Sequence, residues 1–151
     1  MLKNINPLLS PELLMVLRSM GHGDEIAVVD ANFPAASMAR RLVRLDGLMA
    51  TAVTEAILSV MPLDDFESEA AWRMEVVGHP QAEQPIFGEF RAAIARHEGT
   101  GFRLAALERF AFYERARAAY AIVSTGEARL YGNIILKKGV VRQPDAGGGN
   151  S

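Results

Sequence analysis

Four short stretches of this 151-residue chain carry side chains able to handle protons and hydroxyl groups. In Gly21-His22-Gly23-Asp24 an imidazole stands between two glycines. A free histidine titrates at about pH 6.5, so it gives or takes a proton near neutrality. The stretch also reads as a loop histidine whose neighbours only end a helix. Asp30 closes an otherwise apolar run, and ligands of open α/β sheets gather beyond the carboxyl ends of strands. It fits equally as a cap for the turn Ala31-Asn32-Phe33-Pro34. Tyr131-Gly132-Asn133 opens a strand-like run, which would turn Tyr131 and Asn133 to one side with a glycine permitting close approach between them. A phenol and an amide suit a polyhydroxylated ligand, or structural hydrogen bonds. Arg109 stands near a helix start, where its fork of donors could reach ligand oxygens. Nearby, Glu114 and Arg115 read as a solvated helix face, and Phe110, Phe112 and Tyr113 as core. His79 and His97 lack partners at metal-ligand spacing and read as surface residues.

The elements that must hold these groups follow from pattern and punctuation. Ser10-Pro11-Glu12 is a helix start with serine as N-cap and proline at the first position. Leu13, Leu14, Val16, Leu17 and Met20 supply its apolar face, and Gly21 is expected to end it in a left-handed conformation. Strands are expected at 25–30, 41–45, 70–77, 102–106, 120–124 and 131–136, and helices at 48–60, 86–97 and 110–119. The segment 32–34 reads as loop. This alternation predicts one α/β domain over residues 1–142 with a largely covered sheet. The polar, glycine-rich residues 143–151 read as a disordered tail.

Composition narrows the function. The net charge of −2 comes from interspersed acids and bases, without the basic stripe of a nucleic-acid binder. The absence of cysteine excludes disulfides and thiolate metal sites. No apolar run approaches the roughly 20 residues of a membrane span, and the start is too short for a signal-peptide core. A cytoplasmic protein is expected.

The wording and order of the motifs carry more. Gly21-His22-Gly23-Asp24-Glu25, Asp30-Ala31-Asn32-Phe33-Pro34, Arg109-Phe110-Ala111-Phe112-Tyr113-Glu114-Arg115-Ala116 and Tyr131-Gly132-Asn133-Ile134-Ile135-Leu136-Lys137-Lys138-Gly139 closely resemble the RbsD/FucU family. Asn6-Pro7-Leu8-Leu9-Ser10-Pro11-Glu12-Leu13-Leu14 resembles its fucose mutarotase branch. The likeness runs from Met1 to about Val140 and is weaker between about Met61 and Leu104. It implies a three-layer α/β/α domain with a mixed sheet, and ring-opening isomerisation of a free monosaccharide without metal or organic cofactor. By motif, His22 matches the proton donor, while Asp30, Arg109, Tyr131 and Asn133 match substrate-binding positions. In the ribose branch a histidine commonly stands at the position of Arg109, so the resemblance favours L-fucose over ribose. Asp30 is expected either to orient His22 or to grip a hydroxyl. The resemblance also implies homo-oligomers, decamers among them, with sites near subunit boundaries. A ribose pyranase, another hexose mutarotase, or a non-catalytic sugar-binding accessory of transport remain the alternatives.

Overall fold

Ser10 caps the first helix as its residue type predicts, its Oγ accepting the N–H of Leu13 at 3.2 Å. In the computed structural model, which describes residues 1–144, this helix, α1, spans Pro11–Ser19. Its Leu13, Val16 and Leu17 are buried at the predicted spacing. The C-cap is Met20, in an extended conformation. The expected left-handed Gly21 is not found: the positive φ of 89° belongs to Gly23, two residues on. Met20 already turns the chain out of the helix, so the tight turn falls later, beside His22.

The remaining elements are β1 (Glu25–Val29), α2 (Ala35–Met38), β2 (Leu42–Leu45), α3 (Ala50–Leu58), β3 (Ala71–Met74), α4 (Pro85–Glu98), β4 (Leu104–Leu107), α5 (Arg109–Ala118), β5 (Ala121–Thr125) and β6 (Ile134–Lys137). The short helix α2 follows the loop expected at 32–34, over residues for which the pattern predicts no element. Residues 131–133 precede β6 rather than belonging to it.

One six-stranded mixed sheet runs in the order β2-β5-β1-β6-β3-β4. Only β6 runs against its neighbours, β1 and β3. The central strand β1 shows why its sequence is continuously apolar. Ile26 and Val28 pack with α1, α3 and α4, while Ala27 and Val29 pack with α2 and α5. A strand covered on both faces has no solvated side to mark with polar residues. The domain is therefore three-layered, α/β/α. The expected tail falls, from residue 145, outside the described residues.

α5 departs from its simple reading. Phe112 and Ala116 are buried, but Arg115 is not a solvated side chain. Its guanidinium lies 3.5 Å over the Trp72 ring and makes paired hydrogen bonds of 2.7 and 2.8 Å to Glu25. Glu114, by contrast, is exposed beside Arg117. This pairing and the Phe112 anchor fix α5 against the sheet. Phe112→Ala should therefore lower the unfolding free energy by about 3–5 kcal/mol. Phe110→Ala, on the exposed face of the same helix, should change it by no more than about 0.5 kcal/mol. Urea denaturation of both variants tests the difference.

Candidate active site

The antiparallel placement of β6 decides which motifs meet. Val28 of β1 and Arg73 of β3 both pair with Ile134, so the residues after β1 and β3 flank the residues before β6. Asp30, Met74 and Asn133 are thereby neighbours at one edge of the sheet. β4 ends beside β3, and Arg109 begins α5 two residues after it. Asp30, Asn32, Phe33, Met74, Val77, Arg109, Tyr113, Leu130, Tyr131 and Asn133 line one depression of about 200 Å³. Four of the five predicted site residues share it.

Each polar group there is aimed by its neighbours. The Asn133 amide oxygen accepts the N–H of Asp30 at 2.9 Å, and both residues are buried. The Asp30 carboxylate accepts the N–H of Asn32 at 3.0 Å, an Asx turn, so Asp30 does cap the turn that follows it. Burial raises the Asp30 carboxyl above its ordinary 3.8, outweighing hydrogen bonds from Asn32, Asn133, Gly132 and Phe33. Arg109 is held where it is by its helix: Glu108 caps α5 by accepting the N–H groups of Phe110 and Ala111. The Arg109 Nε is buried with no hydrogen-bond partner among the described residues.

Tyr131 adopts the left-handed region, with φ of 63°. That conformation costs a non-glycine residue about 1–3 kcal/mol and clusters at functional sites. Its hydroxyl accepts the N–H of Val77 at 3.1 Å, tying the segment after β3 to the segment before β6. Gly132 is required by contact: a Cβ there would stand 2.8 Å from Glu127 Cγ and 3.1 Å from Ile86 Cδ1. Glu127 is locked in turn by Arg129, which also pairs with Glu89.

His22 lies elsewhere. It precedes β1, whereas Asp30 follows it, and a five-residue strand is about 15 Å long. Asp30 therefore does not orient the imidazole of its own chain. The carboxylate that meets His22 is Asp64, with Nε2 to Oδ1 at 2.9 Å. His22 is substantially exposed at 43%, but Asp64 is buried at 1%. Phe66 packs its ring 4.8 Å from the imidazole. Two larger clefts, about 280 Å³ each, border α1 and the N-terminal segment. Their walls are mainly apolar and lack a convergent set of carboxylate, amide and phenol groups.

A carboxylate, an amide, a phenol and a guanidinium around one small hollow match a ligand dense in hydroxyl groups. Residues 3–141 match the model of the RbsD / FucU transport protein family. The chain belongs to the RbsD/FucU family. It is 46% identical to an L-fucose mutarotase of Glaesserella parasuis serovar 5, covering 93% of this chain and 96% of that one. It is likewise 46% identical to the fucose mutarotase of Homo sapiens, covering 93% and 94%. The crystal structure of a Streptococcus pneumoniae fucose mutarotase in complex with L-fucose superposes with a TM-score of 0.85 at 46% identity, covering 93% of this chain and all of that one.

Several residues lining this hollow escaped the sequence reading. Asn32 and Phe33 lay in a motif already quoted, yet Met74, Val77 and Leu130 carry no signal of their own. Tyr113 reads as core but is half-buried in the wall of the hollow. Tyr120 lies at the other edge, under the Arg41 guanidinium at 3.8 Å.

The raised Asp30 carboxyl has a stability consequence with a definite sign. The folded chain binds this proton more tightly than the unfolded chain, so stability is lost as pH rises from about 3.8 through the raised value. Asp30→Asn should therefore raise the melting temperature at neutral pH, and the gain should vanish in acid. Thermal melts across pH test it; equal melting temperatures at neutral pH would contradict it.

Proposed function

We propose that this chain is a mutarotase that interconverts the α and β anomers of free L-fucose, acting as a homo-oligomer in the cytoplasm. The observation that carries the reading is the hollow at the strand ends, where Asp30, Arg109, Tyr131 and Asn133 surround one sugar-sized space. Similarity to fucose mutarotases over nearly the whole chain, including one solved with L-fucose, supports the choice of sugar. The wall of Met74, Val77 and Leu130 supports it independently, offering apolar surface to the methyl group of a 6-deoxy sugar.

Ring opening of a cyclic hemiacetal needs a proton delivered to the ring oxygen and one removed from the anomeric hydroxyl. Rotation about the C1–C2 bond and closure on the other face reverse both transfers. In this reading His22 serves the ring oxygen, Asp30 accepts from sugar hydroxyls, and Arg109, Tyr131 and Asn133 fix the remaining oxygens. Positioned proton transfer contributes about 10²–10⁴-fold, enough to outpace spontaneous anomer exchange.

The two halves of this chemistry stand at opposite ends of β1. A histidine cannot reach along its own central strand, so the site requires the His22 edge of a second copy docked at the hollow. The exposure of His22 in the single chain fits that role. Among the described residues no helix is long and apolar enough to cross a membrane.

Exchange NMR on a panel of free sugars, with and without protein, tests the activity. Accelerated exchange of L-fucose anomers is expected, and His22→Ala should remove it by about 10²–10⁴-fold while leaving the fold intact. Selective pyranose–furanose exchange of ribose would replace the sugar. Binding without faster exchange would make the protein an accessory, and unchanged exchange in His22→Ala would remove His22 from the mechanism.

A further inference from the structure

The Lys137-Lys138-Gly139 motif takes no part in the hollow, yet it organises the opposite edge of the sheet. The loop bearing His22 is tied to it by two backbone hydrogen bonds: Gly23 N–H to the Lys138 carbonyl at 2.9 Å, and Lys138 N–H to the Asp24 carbonyl at 2.8 Å. The segment bearing Asp64 is tied to the same three residues. Asp64 N–H donates to the Lys137 carbonyl at 2.9 Å, and Gly139 N–H to the Pro62 carbonyl at 2.8 Å. A Cβ at position 139 would lie 2.4 Å from the Leu63 carbonyl oxygen and 2.8 Å from Asp64 N. Only glycine lets this backbone approach. The sequence thus holds two loops, 42 residues apart, in one fixed relation.

The fixed relation has a chemical result at the imidazole. We propose that Asp64 is a positioning residue that holds His22 as the Nε2–H tautomer, making Nδ1 the nitrogen that exchanges its proton with the sugar. This rests on the reading of His22 as the proton carrier. A carboxylate accepts hydrogen bonds and donates none, so the nitrogen facing it at 2.9 Å must carry hydrogen. In neutral His22 the lone pair then sits on Nδ1, and on protonation Nδ1–H is the available acid. Asp64 is kept ionised. Burial alone would raise its carboxyl, but hydrogen bonds from His22 and Phe66 N–H, with the charges of His22 and Lys137, hold it below 3.8. Lys137 Nζ stands 3.8 Å from Asp64 Oδ2 and 2.9 Å from Glu67. The Phe66 ring supports one side of the imidazole. The protons balance in pairs: on opening, His22⁺ gives the Nδ1 proton to the ring oxygen while the Asp30 carboxylate lining the hollow takes the proton released by the anomeric hydroxyl, and closure reverses both transfers, with Nε2–H retained throughout.

Long-range ¹H–¹⁵N NMR of the full chain labelled at histidine reads the tautomer directly, with His22 assigned by its absence in His22→Ala. Neutral His22 in the unsubstituted protein is expected to be mainly Nε2–H. Asp64→Asn should lose that preference and lower kcat for L-fucose anomer exchange at least about tenfold, with KM within about twofold. A mainly Nδ1–H His22 in the unsubstituted protein overturns the proposal, even if Asp64→Asn does not fold. So does an Asp64→Asn protein with the tautomer or the rate unchanged. Wild-type exchange in His22→Ala would instead strike the underlying functional reading, and leaves the tautomer result readable on its own.

Discussion

The direction of one strand governs where every reactive group lies. β6 is inserted between β1 and β3 and runs against both, while the other pairings in the sheet are parallel. Reversal sends the two ends of one continuous motif to opposite edges. Tyr131, Gly132 and Asn133 enter beside Asp30, at the carboxyl ends of the parallel strands. Lys137, Lys138 and Gly139 leave beside His22 and Asp64, at their amino ends. Had β6 been parallel, the amide that clasps the Asp30 backbone would have been sent to the wrong edge.

Each edge is then made rigid by close backbone approach rather than by side-chain packing alone. At the hollow, Gly132 fits against Glu127 and Ile86, and the left-handed Tyr131 is pinned through its hydroxyl to Val77. At the other edge, Gly139 lets the 62–64 segment lie on the chain leaving β6. The strain at Tyr131 and the desolvated Asp30 both oppose folding, and both stand where a ligand would recover the loss. Local costs of this kind are typical of sites built for binding.

Much of this was legible in the sequence, for reasons that differ by element. The Ser10 cap, the apolar face of α1 and the doubly covered β1 follow from local chemistry and period. The α2 turn did not, because four residues after a proline give too little pattern. Arg115 read as solvent-facing because periodicity cannot foresee a guanidinium stacked on Trp72 and paired with Glu25, distant in sequence. Asp30, Arg109, Tyr131 and Asn133 were singled out by motif, and the fold gathers them around one hollow. Asp64 was invisible: it lies where the family resemblance is weakest, and its meaning comes only from the 2.9 Å contact with His22. Nor could the sequence show that His22 and Asp30 are kept apart, since that depends on the length and direction of the strand between them.

We propose that the catalytic site is assembled from two copies, one offering the hollow and the other the histidine. Mixed oligomers of His22→Ala and Asp30→Asn chains test this most directly, formed by co-expression with distinguishable tags and assayed for L-fucose anomer exchange. Each variant alone should be nearly inactive. In a randomly mixed equal assembly, about one site in four combines an intact hollow with an intact His22 of another chain, so roughly a quarter of unsubstituted activity should return. Tagged oligomers that contain both chains yet remain as inactive as either parent would rule out a site shared between copies.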